Sequence, residues 1–188
     1  MSDSNLIAAS AGAAGATARF SIGIDLGTTH CALSYVDRSA SDGDTVAQGV
    51  LDIPQLTGPA SVDAKPLLPS FLYLPHESEL TPADMALPWG ASDGFVVGEF
   101  ARSRGAATPI RLVSSAKSWL CHPGVDRRAP LLPADAPAEV ARVSPLTASI
   151  RYLSHLRWAW DQAHPEAPFD AQDITVTIPA SFDPAARE

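Results

Sequence analysis

Ile22-Gly23-Ile24-Asp25-Leu26-Gly27-Thr28-Thr29 is the stretch from which the rest of the sequence takes its reading. It closes a short apolar run over 19–24 and leads into a second, CALSYV, over 31–36. Two strand-like runs around a glycine-containing turn predict a hairpin whose turn, not its strands, carries the polar groups. A tight turn through Gly27 presents successive backbone N–H groups, with the hydroxyls of Thr28 and Thr29 beside them. Such a concavity cradles the terminal phosphates of a nucleotide. Asp25, at the strand end, is placed to hold a hydrated Mg²⁺ against those phosphates. The same residues also suit a surface hairpin whose Asp and Thr do no more than satisfy turn amides. A Walker loop is excluded, because no G-x-x-x-x-G-K-[ST] occurs in the chain.

Outward from the hairpin, 46–53 reads as a third strand and 67–74 as a fourth, while Pro82 and Pro88 break 76–94 into loop. A short strand over 95–97 closes at Gly98, and 99–105 reads as a helical turn or two. Pro109 opens an expected helix over 110–120, and the four prolines of 121–137 predict irregular structure. From Ser144 as cap to Pro165 as stop, Leu146, Ile150, Leu153, Leu156 and Trp160 recur at helical spacing. A buried strand is expected over 174–178. Strands, a long helix and a final strand make the class α/β. The expected architecture is one mixed sheet (19–24, 31–36, 46–53 and 174–178) with the helix 144–164 packed across it. Asp183 and Pro184 then announce a further helix within about one turn of the chain end, so the fold is expected to be incomplete at the C-terminus.

With 13 basic and 21 acidic residues among 188, the net charge is −8, which argues against a nucleic-acid backbone as partner. No apolar run approaches the roughly 18 residues of a membrane helix. The leader, 1–19, is rich in Ala, Gly and Ser and carries no basic residue before Arg19, so it reads as a disordered tail rather than a secretory signal. Cys31 and Cys121 form neither a zinc pattern nor a disulfide framework, which fits a cytoplasmic location.

Four segments, in one order, carry a resemblance. Ile22–Thr29 resembles the first phosphate hairpin of the actin, sugar-kinase and heat-shock ATPase superfamily. Val97-Gly98-Glu99-Phe100-Ala101-Arg102, Ser115-Ala116-Lys117-Ser118-Trp119-Leu120 and Ile174-Thr175-Val176-Thr177-Ile178-Pro179-Ala180-Ser181-Phe182 resemble successive motifs of the DnaK-type, seventy-kilodalton heat-shock chaperones. The resemblance implies a ribonuclease-H-like ATPase lobe over 20–188, with a small subdomain at about 67–132. It implies that Gly27, Thr28, Thr29 and His30 meet the β- and γ-phosphates of ATP, and that Asp25 holds Mg²⁺ through water. Lys117 would reach the γ-phosphate and orient the attacking water, whereas the plainer reading makes it a solvated helix lysine. Pro179 and Arg187 match the family's proline switch and its arginine, although Pro179 also reads as a strand terminator. Unfolded polypeptide clients and co-chaperones are the implied partners, through a more C-terminal part. His30 stands where the family has Asn, and Ser181 where it has an aromatic. A sugar kinase of the same superfamily and a non-catalytic interaction module are the alternatives.

Overall fold

The computed structural model describes residues 18–42, 45–92 and 94–178. The expectations placed on 1–17, Pro179, Ser181, Arg187 and the helix after Asp183 lie outside the described residues. The strands run β1 (Phe20–Leu26), β2 (His30–Asp42), β3 (Thr45–Val50), β4 (Ile53–Gly58), β5 (Ser61–Lys65), β6 (Leu68–Pro69) and β7 (Leu72–Tyr73). A small hairpin, β8 (Ala86–Leu87) and β9 (Gly90–Ala91), precedes β10 (Val96–Val97) and helix α1 (Glu99–Ala107). Then come β11 (Leu112–Val113), the short helix α2 (Ala116–Leu120), the long helix α3 (Pro145–Ala163) and β12 (Asp173–Thr177). The chain is therefore a mixed α/β structure with one larger mixed sheet and several small ones. No helix among the described residues is long and apolar enough to cross a membrane.

The larger sheet has the order β12-β1-β2-β3, with β6 pairing on β2. Side chains alternate across a strand, so β1 turns Phe20, Ile22, Ile24 and Leu26 to one face and Ser21, Gly23 and Asp25 to the other. Cys31 and Leu33 of β2 extend the apolar face, and both are fully buried. Helix α3 covers that face. Ser144 caps it, its Oγ accepting the Thr147 N–H at 2.9 Å, and Pro145 opens it. Trp160 fills the space against Phe20 and Tyr35, with ring centroids 5.1 and 5.4 Å away edge to face. The Trp160 Nε1–H donates to the Ala167 carbonyl at 2.8 Å, so its one polar atom is satisfied inside the core. Tyr152 reaches the turn end of the β1–β2 hairpin while Trp160 lies over Phe20 at the start of β1, so α3 runs back along the sheet. This return lets β12 enter beside β1 in parallel, from Ser21↔Asp173 to Asp25↔Thr177.

Several expected elements take a different form. The third strand stops at Val50, and Ile53 opens β4, which pairs with β5 in a separate hairpin. The run 67–74 divides at Pro69 and Ser70: β6 pairs with β2, while β7 sits between β10 and β11 in a three-stranded sheet. The expected helix over 110–120 is broken. Leu112 and Val113 pair with Tyr73 and Leu72, and Ser115 at φ 56° turns the chain into α2. Burying Val113 in that ladder outweighs local helix propensity. The expected loop 76–94 contains the β8–β9 hairpin. Along α3 the buried face is Ala148, Ser149, Tyr152, His155, Leu156, Ala159 and Trp160, whereas Ile150 is 51% exposed. The strand β12 is half-buried rather than buried, because it forms one edge of the sheet.

His155 is held between α3 and β4, its Nε2–H donating to the Pro54 carbonyl at 2.9 Å, with the Trp89 ring edge-on at 5.0 Å. Burial pulls the imidazole down from 6.5 to about 4, against the opposing pull of the Pro54 carbonyl. Between those values the unfolded chain holds more protons than the native one, so stability must fall as the pH drops through that window. The expected loss from this residue is about 3 kcal/mol at most, complete near pH 4 and absent above the ordinary histidine pKa. His155→Gln should flatten the dependence. Urea denaturation of both proteins above and below the window checks it, and an unchanged pH slope in the variant would remove His155 as the cause.

Candidate functional site

The turn between β1 and β2 is tight. A Cβ built on Gly27 would lie 2.1 Å from the His30 carbonyl oxygen, so no other residue fits there without moving the turn. Thr28 and Thr29 are exposed and His30 is half-buried. Among the described residues, the N–H groups of Thr28 and Thr29 donate to no carbonyl or side chain. The turn thus offers two hydroxyls and two open amides to solvent.

Asp25 is exposed at the end of β1, on the face of the sheet away from α3. Its carboxylate is oriented by β12: the Thr177 hydroxyl lies 3.1 Å from Asp25 Oδ1 and 3.2 Å from the Ile24 carbonyl, sharing its proton between them. The parallel register that places Thr177 opposite Asp25 is therefore what gives this acid its direction.

Lys117 lies on α2, half-buried, with Ala116 beside it in the core cluster that also holds Cys31, Leu68 and Leu72. It forms no ion pair with another described residue. Cys31 is a convenient reporter for the surroundings. Burial pushes its thiol up, opposed by its hydrogen bonding with Ser70 and with the Gly27 amide. Asp25 adds to the rise and Lys117 works against it, so both charges act on one sulfur beneath the turn.

The residues expected from the sequence, Asp25, Gly27, Thr28, Thr29 and His30, follow one another from the end of β1 through the turn into β2, and Lys117 stands on α2, whose Ala116 is buried in the same core cluster as Cys31. Gly98, in the second motif, has a structural role. Its φ is 88°, and a Cβ there would meet the Gln55 and Leu68 side chains at 2.7 Å. Gln55, fully buried, accepts the Glu99 N–H at 3.0 Å and donates to the Leu67 carbonyl at 2.9 Å, tying the start of α1 to β4.

Sequence reasoning missed two groups, one that holds Asp25 and one that touches the turn. Thr177 appeared only as part of a strand. Ser70, 3% exposed, donates from Oγ to the Gly27 carbonyl and from N–H to the Thr29 carbonyl, both at 2.8 Å. Nothing local marks either residue, since their partners are 152 and 43 positions away. A concavity of about 640 Å³ lies on the uncovered face of the sheet, lined by Gly23, Ser34, Val50 and Thr175 among others, and it reaches Thr177 but not the turn. Neither the protein-family models nor the curated proteins compared with the chain match it.

Gly27→Ala should cost about 1–3 kcal/mol of stability, because the new methyl must displace the His30 carbonyl. Thr28→Ala, one position away and exposed, should stay within about 0.5 kcal/mol of the parent. Chemical denaturation of the pair tests the turn geometry: equal midpoints would show that the turn is looser than described.

Proposed function

We propose that the turn between β1 and β2 binds the β- and γ-phosphates of Mg-ATP, and that the chain is the first lobe of a chaperone ATPase resembling the DnaK-type family. The observation that carries this reading is the turn itself, which sets open amides and two hydroxyls beside a carboxylate oriented by Thr177. Phosphoryl transfer asks a protein for positioning and charge neutralisation more than for a strong base. Each group has a part in that. The Thr28 and Thr29 amides and hydroxyls would bind phosphate oxygens. The Lys117 ammonium would neutralise charge on the transferring phosphate.

Among the described residues no three His, Cys, Asp or Glu gather round one point. Asp25 alone suits Mg²⁺, which keeps several waters and takes one or two carboxylates together with substrate phosphates. Bound there, the ion would shield the phosphate charge, and Thr177 would keep the carboxylate facing it.

The sheet lends support as well. Three antiparallel strands in sequence, with a parallel strand beside the first and a helix as the crossover, suit a ribonuclease-H-like lobe. In this proposal Pro179 and Arg187 relay nucleotide state. A further part of the protein engages unfolded polypeptide and co-chaperones.

Isothermal titration of the full-length protein with Mg-ATP is the direct test. Thr29→Val, which removes one hydroxyl and suits the adjoining strand, should cost about 1–3 kcal/mol of nucleotide binding with folding almost unchanged. Lys117→Ala should keep nucleotide binding and lower single-turnover hydrolysis by about 10²–10³-fold. Unaltered affinity in the Thr29 variant sinks the phosphate reading, and normal turnover in the Lys117 variant takes that lysine out of the chemistry.

A further inference from the structure

The open turn has little of its own to hold it. Gly27 brings no side chain, and the side chains of Thr28 and Thr29 are exposed. The restraint comes from Ser70, just past β6. Its Oγ–H donates to the Gly27 carbonyl and its N–H to the Thr29 carbonyl, so one residue fixes the carbonyls on both sides of Thr28. A trans peptide unit is planar, with its C=O and N–H pointing in opposite directions. Drawing the Gly27 carbonyl to Ser70 therefore turns the Thr28 N–H away from Ser70.

Ser70 is itself fixed on every polar atom. Its hydroxyl proton is committed to Gly27, so the Cys31 thiol, 3.3 Å from Ser70 Oγ, is the donor in that contact. The Tyr152 hydroxyl of α3 donates to the Ser70 carbonyl at 3.2 Å. Burial pushes the Tyr152 phenol well above its ordinary value, so it remains a donor throughout the working pH range. Ser70, Cys31 and Tyr152 are all buried, and water does not compete for these bonds.

We propose that Ser70 is the positioning residue of the phosphate turn: braced by Cys31 and by Tyr152 of α3, it holds the turn's carbonyls inward so that the amide of Thr28 faces the phosphates. This rests on the nucleotide reading above and adds to it a residue that touches no ligand.

The test uses the full-length protein and two ligands, Mg-ATP and adenosine, titrated calorimetrically. Ser70→Ala should weaken Mg-ATP binding by roughly three- to tenfold, the range of one lost hydrogen bond, and leave adenosine binding unchanged. Ser70→Thr, which keeps the hydroxyl, should recover Mg-ATP affinity. Tyr152→Phe, which removes only the brace, should shift Mg-ATP affinity in the same direction by a smaller factor. General damage to the fold would weaken both ligands alike, so parallel losses overturn the proposal. So does full Mg-ATP affinity in Ser70→Ala and Tyr152→Phe. If the parent protein binds adenosine but gains nothing from the phosphates, the nucleotide reading of the turn fails and this proposal fails with it.

Discussion

The packing of one face of α3 against the β1–β2 hairpin is the contact on which the rest of the chain depends. Trp160, wholly buried between Phe20 and Tyr35, holds the open end of the hairpin. Tyr152, two turns earlier, reaches the closed end through Ser70. The two side chains are about 12 Å apart along the helix, so α3 spans most of the hairpin. Without that span β12 has no route back to the start of β1, and Asp25 has no Thr177 to orient it. The small sheet of β10, β7 and β11 is tied to the same core through Leu72, Val97 and Val113.

What was legible in the sequence was whatever depends on near neighbours. The hairpin is a local object, two alternating runs around a glycine turn, and the structure extends it without changing its face. Ser144, Pro145 and Pro165 bound α3 because caps and stops act within one turn of the residues that make them. The face of α3 was read in part, since Leu156 and Trp160 are buried as expected while Ile150 is exposed, and the shortfall has a physical reason. Large apolar residues such as Ile150 look like core, but a helix lying close on a sheet needs small residues at the contact. Ala148, Ser149 and Ala159 supply them. Hydropathy gives Ala and Ser little weight, so their share of the face was nearly silent.

The segment 110–120 failed for the opposite reason: its fate is decided by a distant strand. Leu112 and Val113 are claimed by β7, which no pattern within the segment announces. The candidate site divides in the same way. Asp25, Gly27, Thr28 and Thr29 sit on one turn and could be read together. Ser70 and Thr177 act on backbone carbonyls and a carboxylate from far along the chain, by hydrogen bonds that leave no periodic trace. Lys117 was singled out only through resemblance to a family motif, and it stands on α2, which packs beside α3.

The pairing of β1 with β12 also fixes an order of events. Asp25 and Thr177 are 152 residues apart, and closing so long a loop is entropically favourable only once intervening contacts have shortened it. During synthesis the hairpin turn leaves the ribosome on the order of ten seconds before Thr177 does, at the usual rates of elongation. The glycine turn and its hydroxyls thus exist early as a local structure, but the acid beside them acquires its orientation last. The geometry of this candidate site is therefore complete only once β12 has docked, and a nascent chain that carries the hairpin alone has the sequence of the site without its geometry.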